Sequence, residues 1–141
     1  APLSFRGTFE KYKRQNTFQI QVIFSKGVNI MAGLVLEGGA FRGLFSCGVL
    51  DALLDEQVEF PYVIGVSSGA SYGISYVSRQ RGRNWEVTQS YTHSADYLHP
   101  RNFLRHRSIM NTSLVFDDIP TQHIPFDFST FFSSPTQFVT V

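Results

Sequence analysis

The sequence predicts an α/β domain built on parallel strands, and three observations predict it. A short apolar run, Ala32-Gly33-Leu34-Val35-Leu36, ends at Glu37-Gly38-Gly39. A second, Tyr62-Val63-Ile64-Gly65-Val66, follows Pro61 and ends at Ser67. Between the two runs and again after the second, apolar residues recur with helical spacing. Strand, helix, strand, helix within about 50 residues requires crossover connections, and crossovers join parallel strands.

The first run reads as a buried strand entering a glycine turn. Leu44, Val49, Leu50, Leu53 and Leu54 then share one broad face of a helix ending near Glu56, with Asp51, Asp55 and Glu56 toward solvent. After the second strand, small residues with Ile74, Tyr76 and Val77 predict a helix from Ser68 to about Arg79, which Gly69 and Gly73 weaken. Gly82 is its end signal, and Arg79 and Arg81 suit the carbonyl end of the dipole. A further helix is expected over Asn84–His99, then a basic loop or short helical turn over Arg101–Arg107. Asp127 is placed to cap a helix over Phe128–Phe132, because its carboxylate accepts hydrogen bonds from free first-turn amides. Gln137-Phe138-Val139-Thr140-Val141 alternates like a strand.

Residues 1–30 stand apart. They hold Arg6, Lys11, Lys13, Arg14 and Lys26 against Glu10, a net of +4, so with +1 for the whole chain the remaining residues carry −3. The composition shifts just before Met31, where the strongest pattern starts. Met31 is therefore expected to be the natural start, 1–30 a leader, tag or translated upstream sequence, and 31–141 the domain. A basic arm touching anionic lipid is the alternative. Thr17–Phe24 is too short and too polar for a signal-peptide core, and no run approaches the ~18 apolar residues of a membrane span. A cytoplasmic protein is the expectation. The single Cys47 excludes an internal disulfide. A charge of +1 gives no reason to expect a nucleic-acid partner.

The chemistry lies at the strand ends. Gly65-Val66-Ser67-Ser68-Gly69 matches G-x-S-x-G, the nucleophile elbow in which a strand turns sharply into a helix with serine at the apex. Gly69-Ala70-Ser71-Tyr72-Gly73 matches as well. Context selects Ser67, since the apolar strand runs directly into it, whereas Ser71 falls a turn inside the helix. Ser71 and Ser75 read as small residues packing that helix on the sheet. The glycine loop Gly38-Gly39-Ala40-Phe41-Arg42-Gly43 offers amides to an anion. They would serve an acyl-transfer oxyanion, or cradle a nucleotide phosphate, although Ala40 stands where G-x-G-x-x-G needs its second glycine.

Leu36-Glu37-Gly38-Gly39-Ala40-Phe41-Arg42-Gly43 followed by Gly65-Val66-Ser67-Ser68-Gly69 resembles the patatin-like phospholipase family, bacterial members included. The likeness runs from about Met31 to Val141. It is sharp through Ser71 and diffuse afterward, where Ile124-Pro125-Phe126-Asp127-Phe128 is similar to a stretch in bacterial members. The resemblance implies a three-layer α/β/α hydrolase with a mainly parallel sheet, cleaving lipid acyl esters with a Ser-Asp dyad and no cofactor. It implies Ser67 as nucleophile and the amides of Gly38, Gly39 and Ala40 as the oxyanion hole. Arg42, Gly43, Gly65 and Gly69 support the motifs. The family's aspartate sits in a downstream Asp-Gly motif, and this sequence contains no Asp-Gly pair. The chain is therefore expected to be the N-terminal part of such a domain, truncated at its C-terminus and weak or dead alone, because a serine hydroxyl needs a base. A lipid substrate leaves room for transient contact with a membrane surface.

Three rivals stand beside this reading. Ser67, Asp96 and His123 satisfy the order of an α/β-hydrolase triad. A non-catalytic lipid- or partner-binding remnant would use Arg101, Arg105 and Arg107 on phosphate, with the late phenylalanines Phe116, Phe126, Phe128, Phe131, Phe132 and Phe138 gripping acyl chains. Solvated charges and ordinary core are the plainer accounts of both groups. The third rival is a phosphate-binding α/β module. His93, His99 and His106 have no metal-ligand spacing, and no metal site is expected.

Overall fold

The computed structural model describes residues 20–24, 32–91, 93–100, 102–103 and 107–141. Its centre is a four-stranded sheet of β1 (Ile20–Phe24), β2 (Ala32–Leu36), β3 (Tyr62–Gly65) and β4 (Gln137–Thr140), in that spatial order. β2, β3 and β4 run parallel, and β1 pairs antiparallel on the outside of β2. The α/β class and the mainly parallel sheet are therefore as the sequence predicts. β1 lies in the stretch where the sequence suggested no element.

Helix α1 (Leu44–Asp55) crosses from β2 to β3, and α2 (Ser68–Val77) starts the long connection from β3 to β4. Period-two alternation turns Leu34, Leu36 and Val63 to one face, where they are wholly buried. Leu50 of α1 and Tyr76 and Val77 of α2 close over them, with Phe60 beside and Phe131 and Phe138 packed against the edge. Both helices thus cover the same face, as successive right-handed crossovers in one direction require. Part of the late aromatic cluster is ordinary core. Phe132 and Phe116 instead remain largely exposed.

Three elements depart from expectation. α2 stops at Val77, because Arg79 already adopts the left-handed conformation (φ 57) that ends a helix; Gly82 takes it only three residues later. Helix α3 (Arg83–Tyr91) is shorter than Asn84–His99, and the Ser94 hydroxyl accepts from the Asp96 amide in the turn that follows. Leu114–His123 forms a π-helix containing Pro120, which the sequence did not suggest. Its Leu114 and Ile119, with Ile124 just beyond, form a small second core against Val87, Tyr91 and Tyr97. Helix α4 (Phe128–Ser133) is capped as predicted, with the Asp127 carboxylate accepting from the Thr130 amide at 2.9 Å.

Candidate active site

In the parallel pair β2–β3, Leu36 stands opposite Gly65, so the turns after both strands leave the sheet at one edge. The Val66 amide donates to the Leu36 carbonyl at 2.9 Å and carries the pairing up to Ser67. Gly38 is where the two turns meet. A Cβ built on it would lie 3.0 Å from Ser67 Cβ and 3.7 Å from Ser67 Oγ. The glycine loop therefore passes directly beside the serine hydroxyl.

Ser67 occupies φ 51, ψ −122, a conformation L-residues rarely adopt and one that persists only when neighbours enforce it. Here the neighbours do. The Gly69 amide donates to the Val66 carbonyl at 2.9 Å, and the Ala70 amide to the Ser67 carbonyl at 3.0 Å. A Cβ on Gly69 would fall 2.3 Å from the Leu36 carbonyl oxygen, and one on Gly65 would fall 2.4 Å from Ala70 Cα. Both motif glycines are thus required by close backbone approach. Ser67 is exposed at the N-cap of α2, where the amide end of the dipole favours negative charge. The arrangement has the strand-turn-helix geometry of a nucleophile elbow.

The glycine loop continues into a 3₁₀ turn, Ala40–Gly43. Three bonds fix it. The Gly39 amide donates to Ser68 Oγ at 3.0 Å, the Arg42 amide to the Gly39 carbonyl at 3.0 Å, and the Tyr72 hydroxyl to the Ala40 carbonyl at 3.2 Å. Ala40 has φ 47, so the residue that replaces a glycine here holds a conformation glycine would take freely. Burial, more than the nearby Cys47 and Tyr97, pushes the Tyr72 phenol up to about 12, which keeps it a donor. Cys47 is likewise pushed up to about 12, by burial first and Asp51 second, so its thiol stays protonated. Arg42 is exposed on the turn.

Sequence reasoning did not single out Ser68 or Tyr72. Their signal is their spacing: four residues apart on one helix, they share the face that meets the loop.

Other candidates lie elsewhere. Ser71 is a turn inside α2, and Ser75 is buried, accepting from Arg83. His123 stacks edge-on against Tyr91 and lines a shallow, roughly 450 Å³ cavity with Arg79, Arg81 and Arg83. That cavity is at the far end of α2, about 15 Å of helix from Ser67. Asp96 sits in the turn after α3. Arg101, Arg105 and His106 fall outside the described residues, whereas Arg107 is exposed. Among the described residues no three His, Cys, Asp or Glu side chains gather as a metal site, and no helix is long and apolar enough to cross a membrane.

The family model of the patatin-like phospholipases matches residues 34–137, which takes in the glycine loop and the turn at Ser67 and ends where β4 begins. The chain belongs to the patatin-like phospholipase family. Within it, the chain is similar to the uncharacterized protein YjjU of Escherichia coli (strain K12), with 36% identity over 73 residues. That match covers 51% of this chain and 20% of YjjU, so the chain spans a small part of that relative's length. No solved structure matches it.

Proposed function

We propose that Ser67 is the nucleophile of a serine acyl hydrolase acting on lipid acyl esters. The family is one of lipid acyl hydrolases, which supports the substrate class. The observation that carries the reading is the seating of Gly38 against Ser67, which puts a serine hydroxyl and a loop of backbone amides at one sheet edge. Ser67 Oγ attacks the ester carbonyl and loses its proton to a base. The carbonyl oxygen becomes an anion, received by amides of the Gly38-Gly39-Ala40 loop. Collapse expels the alcohol and leaves an acyl-serine, which water hydrolyses. Fixed backbone donors at such a position are each worth roughly a hundredfold to a thousandfold in rate.

The base is the aspartate of a Ser-Asp dyad, and no Asp-Gly pair stands in these 141 residues to supply it. The chain alone is accordingly a poor catalyst. Arg42, Gly43, Gly65 and Gly69 shape the loop and the elbow, and no cofactor is used. Transient docking on a lipid surface delivers the substrate.

Hydrolysis of short p-nitrophenyl esters tests the assignment, using this chain and a product of the same gene extended past Val141. Activity in the extended form that Ser67→Ala abolishes supports it. Activity that survives Ser67→Ala overturns it.

A further inference from the structure

The glycine loop and the nucleophile come from different strands, yet helix α2 touches both. Ser67 is its N-cap, and Ser68 and Tyr72, one turn apart, reach back to the loop. Their two bonds act on successive stretches of the same backbone. Ser68 Oγ accepts the N–H of the Gly38–Gly39 peptide, and the Tyr72 hydroxyl holds the C=O of the Ala40–Phe41 peptide. The Gly39–Ala40 peptide between them is held through its carbonyl by the Arg42 amide. The tyrosine ring also presses on the loop's end, since a Cβ on Gly43 would come within 2.2 Å of Tyr72 Cε2.

We infer that Ser68 and Tyr72 are positioning residues that latch the glycine loop to the helix carrying the nucleophile, so that loop and serine move as one body. The inference rests on the reading of Ser67 as nucleophile and sharpens the assignment of the donors. The Gly39 N–H is already engaged by Ser68 in the resting loop. Gly38 and Ala40 supply the amides that receive the oxyanion, while Gly39 serves as the anchor. The Ala40 amide belongs to a trans peptide whose carbonyl is tied to Arg42, so its direction is fixed before substrate arrives. The left-handed Ala40 between the two latch points is a conformation that needs such restraint.

The latch is tested without requiring Ser67 to react. Amide solvent exchange and carbonyl ¹³C shifts are measured by NMR on the labelled chain and on Ser68→Ala, Ser68→Thr and Tyr72→Phe. Losing one neutral hydrogen bond predicts roughly three- to tenfold faster exchange at Gly39 in Ser68→Ala. Ser68→Thr, which keeps a hydroxyl, restores the slow rate, and core amides such as Leu34 stay unchanged in every variant. The Ala40 carbonyl shift moves in Tyr72→Phe and stays put in Ser68→Ala. Unchanged Gly39 exchange in Ser68→Ala overturns the latch. So does acceleration that Ser68→Thr fails to rescue, or that spreads equally through the core. Failure of the hydrolase reading shows separately, as ester hydrolysis that survives Ser67→Ala.

Discussion

Gly38 packs against Ser67 with so little space that a single added methyl would stand 3.0 Å from the serine Cβ. The loop amides and the hydroxyl are therefore coupled through one glycine. Gly38→Ala pushes the loop away from Ser67 and lowers its reaction with a fluorophosphonate, in the extended gene product, by roughly a hundredfold, the scale of losing an oxyanion donor. Time-resolved mass spectrometry reads the rate, and an unchanged rate would mean that the loop does not serve the serine.

Two helix glycines predict effects of opposite sign. A Cβ on Gly69 meets the Leu36 and Glu37 carbonyl oxygens at 2.3 and 2.7 Å, both backbone atoms that cannot swing away. Gly69→Ala should cost about 1–3 kcal/mol as an overpacked contact. Gly48 is exposed in the middle of α1 with nothing within 4 Å of a built Cβ. Gly48→Ala should stabilise by about 0.5–1 kcal/mol, because it reduces the entropy lost on folding. Urea unfolding of the two variants checks both signs.

How far the fold was legible follows from what each residue does locally. Gly65 and Ser67 act within a few positions of themselves, so the turn into α2 could be read directly, whereas Gly38 and Gly69 were legible only as motif glycines, their close contacts with Ser67 and Leu36 lying about 30 positions away. Asp127 likewise announced α4 through a cap three residues long. The π-helix was illegible because its reasons are distant. Gln80 donates to the Pro125 carbonyl and accepts from the Asp127 amide, and buried Arg83 donates to the Ile124 carbonyl. These contacts anchor the segment just beyond the π-helix to the link between α2 and α3 and to the start of α3. Ser68 and Tyr72 were hidden for a related reason: their bonds reach residues about 30 positions away, and no motif encodes them.

Ala40 holds φ 47, a conformation that costs an L-residue about 1–2 kcal/mol and glycine almost nothing. Ala40→Gly relieves that cost but adds freedom to the unfolded chain, worth about 0.4–1 kcal/mol in the other direction. A net gain of about 0.8 kcal/mol is expected from the difference between the centres of those ranges. Thermal unfolding measures it, and a clear loss of stability would contradict the strained geometry.

Asp127 accepts from both the Thr130 hydroxyl and the Thr130 amide, and these bonds hold its carboxyl below the usual aspartate value of 3.8. A depressed folded value means that the cap contributes in full above the unfolded value and fades as pH falls through the folded one. Asp127→Ala should therefore lower the unfolding midpoint at pH 7, and the gap to the wild type should close below about pH 3.8. A gap that stayed constant with pH would show that the charge on the cap is irrelevant.

Fluorophosphonate labelling with peptide mapping decides whether Ser67 is the nucleophile, on this chain, on its Ser67→Ala variant and on the product extended past Val141. The extended product is expected to be modified at Ser67, Ser67→Ala to stay unmodified, and the 141-residue chain to react far more slowly. Modification at Ser71 instead, or an extended product whose Ser67 stays inert, would contradict the nucleophile assignment. Equally fast labelling of the short chain would contradict the missing aspartate.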